Sequence, residues 1–130
     1  MARYEHLKIY KDSYDALIVL NKLVVNFPKN FKYSMGQKMI DLNMEILKLI
    51  YKINNLSSPA LRVFNLSKML SKISELELYL RVLKDLNVIS IKEYSMVALM
   101  VAKVAKQAQS WHDKLNIKKK EGELHLPESG

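Results

Sequence analysis

The chain has 130 residues, 49% hydrophobic and 26% charged, with 21 Lys and Arg against 13 Asp and Glu for a net charge of +8. It has no cysteine, which excludes disulfides and thiolate metal sites. No apolar run approaches the ~18 to 20 residues of a membrane-spanning helix. Three Gly and three Pro leave little turn punctuation, so the composition predicts one domain built from a few long helices.

The positive excess is spread over every segment up to Ile117, whereas residues 118–130 are neutral overall. The charge therefore belongs to the folded body, and a polyanion is the expected partner. The N-terminal stretch MARYEHLKIYKD lacks the apolar region of a signal peptide. With the absence of cysteine, this fits a cytoplasmic protein.

Helix one is predicted from about Glu5 to Asn26. Leu7, Tyr10, Tyr14, Leu17 and Val24 form its stripe, Asn21 interrupts it, and Ile9, Ala16 and Leu20 broaden it. Asn21 reads equally as a residue pairing across the bundle and as one reaching solvent. Pro28 ends the helix because it disfavours α geometry at Phe27. The short connector after it makes helices one and two antiparallel neighbours.

Helix two is expected from Tyr33 or Ser34 to Ile53, with Ser34 as cap and Gln37 as capping-box partner. Met35, Met39, Leu42, Ile46, Leu49 and Ile53 give the core stripe. Ile40, Met44, Leu47 and Tyr51 give a second apolar side. Gly36 is costly in a helix but permits close packing. Asp41 and Glu45 read as members of a solvated ladder with Lys38, Lys48 and Lys52.

Ser58 before Pro59 signals the start of helix three, which runs to Leu86. Its core stripe is Leu66, Met69, Leu70, Ile73, Leu76, Leu80 and Leu83. Leu78, Tyr79, Val82 and Leu86 lie on other sides, and a helix apolar over more than one face buries more than one face. Self-association is the expected outcome. Ile40, Leu47 and Tyr51 on helix two and Leu78, Tyr79 and Val82 on helix three are the candidate oligomer contacts.

Asn87–Ser90 connects to helix four, with Ser90 as cap and Glu93 completing a capping box. Val97, Val101, Val104, Ala108, Trp111 and Leu115 form the core stripe of this helix, which is expected to end near Ile117. Lys92, Lys103, Lys106, Gln107, Ser110 and Lys114 gather within about 100° of arc on another side. Lys118, Lys119 and Lys120 extend the charge. Residues 1–118 are thus read as an all-α, up-down-up-down four-helix bundle, and 119–130 as a flexible tail, basic then acidic.

Little in the chain suggests catalysis. His6, His112 and His125 fall in separate segments, with no second ligand at metal-binding spacing. There is no Gly-rich phosphate loop. No cofactor and no enzymatic role are expected. The basic surface remains, and it suits a binder driven by charge and shape, because lysines neutralise phosphates without reading sequence.

Three stretches carry a resemblance. FPKNFKYSMGQKM resembles the entry to helix two in four-helix-bundle proteins related to the 23S ribosomal RNA intervening-sequence protein. ELELYLRVLKDLN and AQSWHDKLNIKKK resemble the accessory variability determinant (Avd) proteins of diversity-generating retroelements. The likeness covers about residues 5–120. The intervening-sequence branch carries Asn-Ile-x-Glu-Gly at the end of helix two. Here the chain reads Lys52-Ile53-Asn54-Asn55-Leu56-Ser57, which favours Avd.

The resemblance implies a homopentameric barrel of bundles that binds nucleic acid, RNA or DNA, and the retroelement's reverse transcriptase. It implies support of mutagenic cDNA synthesis with no chemistry of its own. Arg81 matches a basic family position, but one turn earlier the chain has Glu77, so the weight moves to Lys84 and helix four. The expected nucleic-acid contacts are Arg81, Lys84, Lys92, Lys103, Lys106, Lys114, Lys118, Lys119 and Lys120. The alternatives are a ribosomal-RNA-associated bundle and a protein–protein scaffold that binds no nucleic acid.

Overall fold

The computed structural model describes residues 7–125, which are helical apart from short connectors and contain no strand. The long helices are α1 (Lys8–Val24), α2 (Gln37–Asn55), α3 (Pro59–Asp85) and α4 (Ile91–His125). The main contacts run from α1 to α2, α2 to α3, α3 to α4 and α4 back to α1. This closes a four-helix bundle with α1 and α3 at opposite corners. Ser67 of α3 meets His112 of α4, and Lys84 meets Tyr94, so the two helices run antiparallel.

The core follows the predicted stripes on α2, α3 and α4. Met39, Ile46, Ile53, Leu66, Met69, Ile73, Leu76, Leu80, Leu83 and Val97 are almost wholly buried. Each buried side chain of this size contributes roughly 1.5–3 kcal/mol relative to exposure. Met35 and Leu70 are half-buried at the margin of this core.

On α1 the stripe is rotated from the expected one. Its buried line is Ile9, Ser13, Ala16, Leu17, Leu20, Leu23 and Val24. Tyr10 and Tyr14 stack with ring centroids 6.2 Å apart, and Tyr14 is exposed. The rotation brings in Ser13, a small polar residue that the apolar pattern passed over. Its carbonyl accepts a hydrogen bond of 2.9 Å from Nδ2 of Asn43, also buried, which ties α1 to α2. Asn21 does not reach across the bundle, since its Nδ2 donates to the Leu17 carbonyl of its own helix.

Helix formation resumes sooner after Pro28 than expected. The Pro28 carbonyl accepts from the amides of Phe31 and Lys32, both at 2.9 Å, so a helical turn starts at Lys29. The ladder then widens into a π turn at Lys32–Gly36 before α2 proper. Ser34 is therefore inside a helical segment and caps nothing: its Oγ donates to the Asn30 carbonyl at 2.6 Å. Gln37 donates to Asp41 instead of completing a capping box. Gly36 has the predicted packing role. A Cβ there would lie 2.8 Å from Val24 Cγ1 and 3.3 Å from Phe27 Cδ2.

The other two helix starts agree with expectation. Ser58 Oγ accepts from the Leu61 amide with Pro59 at the first position. Ser90 and Glu93 make the reciprocal capping box: the Ser90 amide donates to Glu93 Oε1 at 2.8 Å, and the Glu93 amide to Ser90 Oγ at 3.0 Å. Between them, Asn87 takes the left-handed conformation (φ 58°) that ends α3. The Val88 amide then bonds back to the Leu83 carbonyl, as in a glycine-type helix stop. Arg62 fastens one end of the bundle. Its Nε donates to the Ile53 carbonyl at 3.1 Å, and its guanidinium lies 5.7 Å from the centre of the Trp111 ring.

The end of α4 is a correction. The helix does not stop near Ile117 but continues to His125, so residues 119–125 are helical. Residues 126–130 lie outside the described residues. Ala, Lys, Gln, Leu and Glu make up 13 of the 22 residues of α4 after Lys103, and no Gly or Pro interrupts it before Gly122. These are good helix formers, which explains why the ladder continues after the apolar stripe has run out.

Candidate nucleic-acid interface

Lys92, Lys103, Lys106 and Lys114 are all exposed on the outward side of α4. At 1.5 Å per residue, the row from Lys103 to Lys114 is about 16 Å long. None of the four makes an ion pair with another described residue, so their charge is directed to solvent. Gln107, expected on the same face, is used structurally: its Nε2 donates to Asp12 Oδ2 on α1 at 2.7 Å.

The face is less uniform than its charge pattern suggested. Leu99 lies between Lys92 and Lys103 and is 61% exposed, and Ile117 is exposed beyond Lys114. Sequence reading also missed Lys8. This α1 residue lines a shallow cleft with Ser110, Trp111 and Lys114, adding a cation from a neighbouring helix. No linear pattern joins residues 8 and 114. The antiparallel packing of α1 on α4 does.

The remaining predicted contacts divide. Lys118, Lys119 and Lys120 are helical, so successive side chains point about 100° apart. They do not form an extended cationic arm. Lys118 and Lys120 are exposed, whereas Lys119 turns toward the bundle and is half-buried. Lys84 is half-buried, with Nζ 4.6 Å from the Tyr94 ring centre and 3.7 Å from Asp85 Oδ1. Arg81 is exposed on α3. Arg81 and Lys84 approach α4 from the side opposite α1, so they do not join the Lys103–Lys114 row.

The six candidate oligomer contacts also divide. Leu47 is 8% exposed in the single chain and lines a cleft with Tyr10, Tyr14 and Tyr51. Ile40 and Tyr79 are half-buried and pack against that core. Val82 is half-buried, while Tyr51 and Leu78 are open to solvent. Leu61 and Phe64, absent from the expected set, are exposed on α3. Their spacing with Leu78 and Val82 was the available signal.

Titratable clusters are few. Among the described residues no group of three or more His, Asp or Glu side chains is placed to hold a metal ion. His112 bridges Ser67 Oγ (3.1 Å from Nε2) and Asp113 Oδ1 (3.4 Å from Nδ1). This order resembles a hydrolytic triad, but all three residues lie within long helices whose backbone amides are spent on the helical ladder. No amides are left there for an oxyanion hole. The contact ties α3 to α4. Glu45 pairs with Lys72 of α3 at 2.7 Å and, among the described residues, with no lysine of its own helix. No helix among the described residues is long and apolar enough to cross a membrane. Compared with protein-family models and with curated proteins, the chain matches none.

Proposed function

We propose that this bundle is a non-catalytic nucleic-acid-binding protein whose contact surface is the lysine row of α4. The observation that carries this reading is the row itself: Lys103, Lys106 and Lys114, exposed, without an ion pair to another described residue, and set along one helix, with Lys8 beside its end. Such a row meets a phosphate backbone by charge and spacing and reads no bases. The resemblance to Avd proteins adds a more specific expectation: an accessory subunit, assembled as a ring of five in the cytoplasm, that helps a reverse transcriptase make mutagenic cDNA.

The test is the salt dependence of binding to duplex DNA, a short RNA and an RNA–DNA hybrid. Replacing Lys103, Lys106 and Lys114 together by Glu removes three cations without touching the core. On duplex DNA, the slope of log affinity against log salt should lose about 0.9 per phosphate contact, or ~2.7 in all. Unchanged binding by a folded triple variant would move the site off α4. Absence of binding by the wild type to all three probes leaves the scaffold reading, which the exposed Phe64 and Leu78 favour. Co-purification with a reverse transcriptase tests the Avd expectation separately.

A further inference from the structure

We infer that two copies of this chain pair through the outward face of α3, antiparallel and around a two-fold axis near Ser71. The face is a seam of residues three or four apart: Leu61, Phe64, Lys68, Ser71, Glu75, Leu78 and Val82. That spacing keeps them within about 100° of arc on the helix. Phe64 is 66% exposed and Leu78 57%, both far from the buried stripe on the opposite side. Lys68, Ser71 and Glu75 are exposed, and neither Lys68 nor Glu75 makes an ion pair with another described residue.

The order of residues fixes the occupant and its orientation. From either end the seam reads apolar, apolar, charged, with the small Ser71 at its centre. The two charged positions carry opposite signs. Laid parallel on a second α3, Lys68 would oppose Lys68 and Glu75 would oppose Glu75. Laid antiparallel about Ser71, Lys68 of each copy approaches Glu75 of the other, twice. The same operation brings Phe64 toward Leu78 and Leu61 toward Val82. The surface is complementary to itself, as an isologous contact requires.

The geometry is within reach. Helix axes 8–10 Å apart, less two Cα radii of about 2.3 Å, leave roughly 3.4–5.4 Å between facing Cα atoms, with room for Ser at the crossing. The contact is one helix wide, at the small end of specific interfaces, so pairing is concentration-dependent and sensitive to single charges. A ring of odd number has no two-fold axis between neighbouring members. This contact is therefore separate from any that closes a ring of five, and it does not depend on the nucleic-acid reading.

Sedimentation of the full chain across a concentration series tests the proposal, with circular dichroism confirming that each variant is folded. Lys68→Glu and Glu75→Lys each create two like-charge contacts. Each should weaken association at least tenfold and halve the mass at concentrations where the wild type is paired. The double exchange restores both ion pairs and should restore the wild-type mass. A wild type that never pairs, single variants that assemble as the wild type does, or a double exchange that fails to recover would each overturn the proposal. Because the chain has no cysteine, Ser71→Cys supplies a second measurement. The upper part of that spacing suits a disulfide. Ser71→Cys should crosslink to a covalent dimer several-fold faster than Ser74→Cys, which is turned about 60° around the helix. Equal rates would place the axis elsewhere and overturn the register.

Discussion

Replacing Ser13 by Ala should make this protein more stable. Ser13 is 1% exposed, and its hydroxyl has no hydrogen-bond partner among the described residues, although its carbonyl accepts from Asn43. Burying a hydroxyl without a partner costs about 1–3 kcal/mol in protein hosts. Ala also gains up to about 0.5 kcal/mol over Ser in a helix interior. Against this stands the lost dispersion of one oxygen, a few tenths of a kcal/mol. The net expectation is a gain of about 1–3 kcal/mol. Urea unfolding followed by far-UV circular dichroism measures it, at fixed chain concentration because pairing adds a concentration-dependent contribution. With a slope of ~2 kcal/mol per molar, the midpoint should rise by roughly 0.5–1.5 M while the slope stays constant. The companion variant Asn43→Ala removes the inter-helix hydrogen bond and leaves a cavity, and should lose about 1–3 kcal/mol. If Ser13→Ala loses a kcal/mol or more, the hydroxyl has a partner and the reasoning fails.

The remaining predictions concern close packing and helix ends. Gly36→Ala sets a methyl 2.8 Å from Val24 Cγ1 and should destabilise by about 1–2 kcal/mol, despite the better helix propensity of Ala. Val24→Ala should cancel most of that penalty in the double variant, and additive unfolding energies would exclude the clash as its source. Ser90→Ala breaks the capping box and should cost about 1 kcal/mol in thermal or urea unfolding. If Arg62 holds the end of α2, Arg62→Ala should increase hydrogen exchange near Ile53 and Asn54 more than near Leu20. Equal protection changes at both places would count against a local clamp.

Much of the bundle was legible in the sequence because its causes are local. The three-four spacing of Leu66, Met69, Ile73, Leu76, Leu80 and Leu83 dictates one buried face of a helix in almost any context. Ser58-Pro59 and Ser90-x-x-Glu93 fix two helix starts because the capping atoms lie within four residues of one another. The lysines of α4 could be placed on one side by helical arithmetic alone.

Other features depended on residues far apart in the chain. Ser34 has the right chemistry for a cap, but the Pro28 carbonyl starts the helix earlier and leaves Ser34 inside it. The burial of Ser13 follows from Asn43, 30 residues away. Leu47 reads as a second-face residue until the rotation of α1 against α2 covers it. Lys8 joins the basic face only because α1 packs antiparallel on α4. Periodicity determined which residues can share a helix face. Only the tertiary structure decided which face met a neighbour and which stayed open, because that choice depends on how four helices rotate to fill one core together.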